Sequence, residues 1–334
     1  MMILRLGELT HAIHEVERLA EVLEGERPLQ SAFVLAPAIR FGHDASIYQT
    51  MTVSGEQAGP RTRPLAGGKS RPTRELVIDA FFGPLAGALA LALLRLRVSP
   101  PAVVLANGGA GLAGAFAVHR GALVTAAILL QVKTLLDNAD GRLARASGRV
   151  TLLGRYLDTE VDLVVNAALF AALGSLTGRP WLALAAFLVL TLVLSVGFNL
   201  AELYREAHGE PPRAPRSSGG AVERALEGGY RLVFGWQDRL LRAFVVWRLV
   251  RIVGGEGDSG LRGAAMLSYH DRTTMAVLAN LGLSTQLAVL GLCLVAGAPA
   301  FYLWLVVASG ALLPLLELRR GLLARRSLSA PRAA

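Results

Sequence analysis

The 334-residue chain is 53% hydrophobic and only 18% charged, whereas a soluble domain carries about a quarter of its residues as charges. The shortage is concentrated in long apolar runs between Pro101 and Leu318, which excludes an ordinary soluble globule and points to membrane-spanning helices. The net charge of +9 flanks those runs. No soluble stripe combines basic residues with interleaved aromatics, so nucleic acid is excluded as a partner and a membrane surface or an anionic substrate is favoured. The single cysteine, Cys293, rules out an intrachain disulfide and a thiolate metal cluster.

In chain order, residues 1–72 open on an amphipathic helical pattern, Ile13, Val16, Leu19, Val22 and Leu23, and run into AGPRTRPLAGGKSRP. They are expected to form a cytosolic extension and linker, too short for a nucleotidyltransferase domain. The N-terminus has too many acids and too short an apolar stretch for a signal peptide. Residues 73–97 include ELVIDAFFGPLAGALALALLRLR, an apolar stretch interrupted by Asp79, Gly83 and Pro84 and closed by Arg95 and Arg97. This reads as a juxtamembrane helix lying along the surface.

Six runs of spanning length follow, at about twenty residues per crossing: 101–118, 121–140, 157–177, 181–203, 274–296 and 299–318. Six crossings return the chain to its starting side. The turns near Arg120 and Arg179 are poor in basic residues, whereas Arg142, Arg145, Arg149, Arg155 and many in 205–272 crowd the other side. Both termini and any site on that side are therefore expected to face the cytoplasm, from a plasma (inner) membrane. Residues 205–272 read as a cytosolic insert, the linker HGEPPRAPRSSGG followed by an arginine-rich amphipathic helix on the membrane surface. Residues 321–334 read as a basic tail. The fold class is thus an all-α integral membrane protein with six transmembrane helices and a juxtamembrane helix before them.

The second run ends in LLDNADGRLARASGRVTLLGRYLDTEVDLVVNAALF. An acid at the bilayer centre costs about 2.5–3.5 kcal/mol on the gentlest scale, so four in one neighbourhood require a purpose. Asp137 and Asp140 are three apart and Asp158 and Asp162 four apart, so each pair faces one way on its own helix. Two neighbouring antiparallel helices can then present four carboxylates to one point. Such crowding repels unless divalent cations lie between the charges, and oxygen-only ligands select magnesium, manganese or calcium over zinc. Gly141 and Ala144 leave room beside them, and Arg145 offers bidentate hydrogen bonding to phosphate. Together these describe a cradle for a pyrophosphate.

The residues Asp137, Asp140, Gly141, Ala144, Arg145, Gly154, Asp158 and Asp162 reproduce the pattern D-x2-D-G-x2-A-R-x8-G-x3-D-x3-D at every fixed position. In this the chain resembles the CDP-alcohol phosphotransferases, over residues 98–320. The resemblance implies a six-helix domain with a cytoplasm-facing cavity, assembled as a homodimer. It implies two divalent cations, Mg2+ or Mn2+, held by Asp137, Asp140 and Asp158, with Asp162 as the general base that also touches a metal. Asp137, Gly141, Ala144, Arg145 and Gly154 would bind the CDP moiety. The reaction implied is transfer of a phosphatidyl or related group from a CDP-activated lipid, CDP-diacylglycerol foremost, to a small alcohol acceptor with release of CMP.

Weaker signals surround the motif. Lys133, one turn before Asp137, either counters the carboxylates or contacts substrate, or else snorkels to the interface. Arg149, Arg155 and Arg272 are candidate contacts for a phosphorylated acceptor, although positive-inside topology alone places arginines there. Asn107 and Gly108 fit close helix packing better than a polar cavity wall. The rival reading is a divalent cation transporter using the same intramembrane aspartates; it leaves Gly141, Ala144 and Arg145 unexplained.

Overall fold

The computed structural model describes residues 73, 75–209, 217, 219–253 and 259–329. The amphipathic pattern expected around Ile13 and the linker before Pro72 lie outside these residues. The described chain is an all-α integral membrane protein.

A π-helical turn, Ile78–Phe82, leads into α1 (Gly83–Arg95). Helix α2 (Pro100–His119) starts on two prolines, whose fixed φ and missing N–H suit a first helical turn. It is followed by α3 (Leu123–Ala146), α4 (Leu152–Thr177) and α5 (Pro180–Ala207). The reversal from α3 to α4 is encoded locally. Gly148 takes the left-handed conformation, φ 67°, while the Arg149 N–H donates to the Ala144 carbonyl at 2.9 Å, the glycine-terminated helix end. Three residues on, Thr151 caps α4 by accepting from the Gly154 N–H at 3.1 Å. The insert then forms α6 (Ala221–Tyr230), a π turn (Arg231–Gly235), α7 (Trp236–Val253) and α8 (Ser259–Tyr269). Helices α9 (Arg272–Asn280), α10 (Leu283–Val295), α11 (Pro299–Gly310) and α12 (Leu312–Ser329) complete the chain.

Six helical stretches among the described residues are long and apolar enough to cross a membrane: Ile78–Arg95, Pro100–His119, Leu152–Thr177, Pro180–Ala207, Gly263–Val295 and Pro299–Ser329. They differ from the six runs expected. The run at 121–140 is helical within α3, whose 24 residues rise about 36 Å, but Lys133, Asp137 and Asp140 remove it from the apolar set. The stretch expected to lie along the surface, now Ile78–Arg95, qualifies by length and composition instead. The stretch expected as a tail after residue 320 continues α12 as far as Ser329.

Helix α2 packs against both α3 and α4. Glycines make this approach possible. A Cβ on Gly108 would stand 2.6 Å from Val161 Cγ1, and one on Gly111 would stand 2.5 Å from Val165 Cγ1. The first core cluster, including Val118, Leu130, Leu173, Leu190, Leu290 and Tyr302, fills the end of the bundle that holds the turns near Arg120 and Arg179. Outside it, Leu105, Phe116, Trp181, Leu188, Phe301 and Trp304 are exposed, the apolar outer face that a bilayer would cover.

The second cluster, including Leu200, Leu203, Val245, Leu249, Tyr269 and Leu278, ties the insert to the opposite end. Helix α6 lies on α4, α7 on α5 and α12, and α8 on α12. Asp238 fastens the insert to α5, its carboxylate accepting from Asn199 Nδ2 at 2.6 Å, and braces α7 to α6 by accepting from the Tyr230 hydroxyl at 2.8 Å.

Candidate active site

The end of α3 and the start of α4 are joined by the Gly148 reversal, and both helices pack on α2, which brings acidic residues of the two together. Asp137, Asp158 and Asp162 each offer one carboxylate oxygen such that all three oxygens lie within 4.8 Å of one another. All three side chains are half-buried, so ions and solutes can reach them. Asp140 lies outside that group of three and is more deeply placed, 7% exposed. Three residues advance a helix by about 300°, which turns Asp140 off the direction taken by Asp137.

Lys133 decides between its two readings. It is fully buried and its Nζ donates to Asp162 Oδ1 at 2.6 Å, so it counters the carboxylates and does not snorkel. Its position is set from behind, where Gly111 of α2 leaves space: a Cβ there would approach Lys133 Cδ to 3.0 Å. The ammonium lowers the net charge of the carboxylate group, and a divalent cation would lower it further. Three carboxylate oxygens within reach of a single ion could hold a hard divalent cation.

The other motif residues line the same corner. Gly141, Ala144 and Arg145 are half-buried on the last two turns of α3, and Gly154 lies in the capped first turn of α4. Arg149 is exposed in the reversal. Arg155 lies over the Phe198 ring at 5.0 Å, and Arg272 is exposed at the first position of α9. Its neighbour Asp271 caps α9, accepting from the Thr273 and Thr274 N–H groups at 2.9 and 3.1 Å, and is held by Arg319 at 2.8 Å. Asp271 and Arg272 thus form a helix start.

Two features go beyond the sequence reading, which favoured close packing for Asn107. Asn107 is fully buried, and neither its amide nitrogen nor its oxygen has a hydrogen-bond partner among the described residues; it adjoins Gly108, which packs on Val161 between the two α4 aspartates. A lone asparagine in an apolar, glycine-rich helix was the available signal. The second is a contact between the insert and the face of α4 turned away from Asp158 and Asp162, since residues two apart on a helix point about 200° apart. Tyr230 lies 5.4 Å from Tyr156, and Gly229 backs onto Glu160, whose Oε1 would meet a Cβ there at 3.1 Å. Burial, then the hydrogen bond to Asp238, pushes the Tyr230 phenol well above its ordinary pKa, so it remains a donor. Nothing in the insert's local sequence indicates this contact.

An all-α membrane fold with clustered carboxylates on two antiparallel helices defines a class of intramembrane, acid-lined sites. The particular family follows from comparison. Residues 88–226 match the CDP-alcohol phosphatidyltransferase family, and this stretch carries that family's domain. It is 32% identical over 149 residues to a phosphatidylinositol phosphate synthase of Streptomyces avermitilis, covering 44% of this chain and 59% of that protein. A phosphatidylinositol phosphate synthase of Mycobacterium marinum is 32% identical over 149 residues, 43% of this chain and 61% of the relative. A bifunctional IPC transferase and DIPP synthase of Aquifex aeolicus is 40% identical over 65 residues, 18% of this chain and 15% of the relative. The chain thus spans less than two thirds of the length of these curated relatives. No solved structure matches it significantly.

Proposed function

We propose that the chain is a metal-dependent transferase that moves a phosphatidyl or related group from a CDP-activated lipid, CDP-diacylglycerol foremost, to a small phosphorylated alcohol, releasing CMP in phospholipid synthesis. The observation that carries this reading is the convergence of Asp137, Asp158 and Asp162 within 4.8 Å, in a sequence that matches the family over 88–226. Asp137, Asp140 and Asp158 would hold divalent cations, Mg2+ or Mn2+, whose contribution is to neutralise the charge of the donor's diphosphate. Arg145 binds that diphosphate, and Gly141, Ala144 and Gly154 leave space for the nucleotide. Asp162 accepts the proton of the acceptor hydroxyl. Lys133 orients its carboxylate through the 2.6 Å contact.

A phosphorylated acceptor is supported by the relatives named phosphatidylinositol phosphate synthase and by the cations near the expected cytoplasmic ends, the exposed Arg149 and Arg272 and the half-buried Arg155. A homodimer with the active site and both termini facing the cytoplasm completes the proposal. Purified protein incubated with CDP-diacylglycerol, magnesium and a panel of acceptors including inositol phosphate should release CMP, and Asp162→Asn should reduce that release by about 10²–10⁴-fold while sparing donor binding. Release of CMP by the Asp162→Asn protein at the unsubstituted rate would remove Asp162 from this role.

A further inference from the structure

Away from the carboxylates, a groove of about 490 Å³ opens between α5, α7 and α12. No residue of the acidic motif lines it. Its walls are apolar: Val196 and Leu200 from α5, Phe244 and Trp247 from α7, Leu313 and Leu316 from α12. The polar part of the lining is Arg248, Glu317 and Arg320.

The charges in that polar part do not balance. Glu317 is shared: it accepts from the Tyr269 hydroxyl at 2.7 Å, from Arg248 Nε at 3.4 Å and from Arg320 Nη1 at 3.2 Å. Two guanidinium groups therefore face one carboxylate. Arg320 is 2% exposed, and is held by the Tyr269 carbonyl at 2.9 Å and by the Tyr269 ring at 4.0 Å. Its Nη2 nonetheless remains buried with no hydrogen-bond partner among the described residues, and a buried donor left without an acceptor is costly. An apolar trough that ends in surplus positive charge and an unmet donor has the chemistry of a site for an amphiphilic anion.

The surroundings identify which one. Trp236, Phe244, Val246, Trp247 and Val250 of α7 are exposed and alternate with Arg239, Arg242 and Arg251, the last lying over Trp247 at 4.6 Å. Aromatic and basic residues mixed on one helix mark the headgroup level of a bilayer. We propose that this groove binds an anionic phospholipid, its acyl chain along Phe244 and Leu313 and its phosphate oxygens on Arg248 and Arg320. The insert helix α7 builds one wall, so lipid binding here braces the insert against α5 and α12.

The test is direct binding, read without CMP release, so that its outcome is independent of the transferase proposal. The full chain, purified in mild detergent, is titrated with phosphatidylglycerol or phosphatidylcholine of matched chains and the bound lipid counted by native mass spectrometry. Phosphatidylglycerol should bind about tenfold tighter, as one charge-assisted hydrogen bond predicts. Leu313→Trp, which fills the trough, should abolish that binding, and Arg248→Gln should erase the preference between the two lipids. Inorganic phosphate should not compete. Equal affinity for the two lipids, competition by phosphate alone, or an Arg248→Gln protein that keeps the full preference would overturn the proposal. Arg248→Gln leaves the trough's shape intact and so serves as the test if Leu313→Trp does not fold.

Discussion

At the scale of single residues, Lys133 is the one whose position decides most. A lysine in an apolar run is expensive, and here the cost is offset by one short contact to Asp162. The ammonium is fully buried, whereas Asp162 keeps 21% of its side chain exposed; the lysine is fixed and the carboxylate is the partner that still meets the cavity. Lys133→Met should therefore loosen Asp162 without unfolding the bundle. Turnover is expected to fall by about 10²-fold, the usual consequence of misplacing a reacting group by an ångström, while the magnesium concentration for half-saturation decreases because the carboxylates lose their built-in countercharge. Magnesium titrations of CMP release separate this from simple destabilisation, which would leave the half-saturation point unchanged. The acidic motif was legible residue by residue, because carboxylates are rare in apolar sequence and their spacing can be counted. The Lys133–Asp162 pair was not, since a contact across 29 positions leaves no periodic trace.

At the scale of elements, the site depends on how closely α2 lies behind α3 and α4. Gly108 and Gly111 are smooth points where an added methyl would collide with Val161 and Val165, whereas a Cβ on Gly109 would meet nothing within 4 Å. Gly111→Ala should destabilise the protein by about 1–3 kcal/mol, the cost of overpacking, and reduce activity by displacing Lys133. Gly109→Ala should change neither, and thermal denaturation of the two variants side by side checks the contrast. The reversal between α3 and α4 rests on Gly148 and Thr151, since helix termination and capping are local. The insert was less legible. An arginine-rich amphipathic pattern suggested a helix resting on the membrane, and α7 does carry exposed tryptophan and arginine. What the pattern omits is that Asp238 joins Asn199 of α5 and that α6 lies against α4. Such contacts depend on which faces meet, and an amphipathic period names a face without naming its partner.

For the whole molecule, the expected orientation sets the α3–α4 reversal in the cytoplasm and the α4–α5 turn on the far side. Helix α4 is 26 residues long, about 39 Å, so its two ends lie at opposite faces of a bilayer about 30 Å thick. In a protein carrying Cys293→Ala, a membrane-impermeant thiol reagent applied from outside intact cells should label Arg179→Cys and not Val150→Cys; both positions are exposed, and the reverse pattern would invert the topology. Composition and hydropathy alone determined that this is a helical membrane protein, because the cost of burying polar groups in lipid acts on every residue of a span irrespective of its neighbours. They also determined the acidic motif, because its spacing along two helices is a local property. Only the tertiary structure decided which three carboxylates share a 4.8 Å neighbourhood and that Lys133 is bound to Asp162. Those outcomes depend on the rotation and separation of helices distant in sequence, which packing sets and which no single helix encodes.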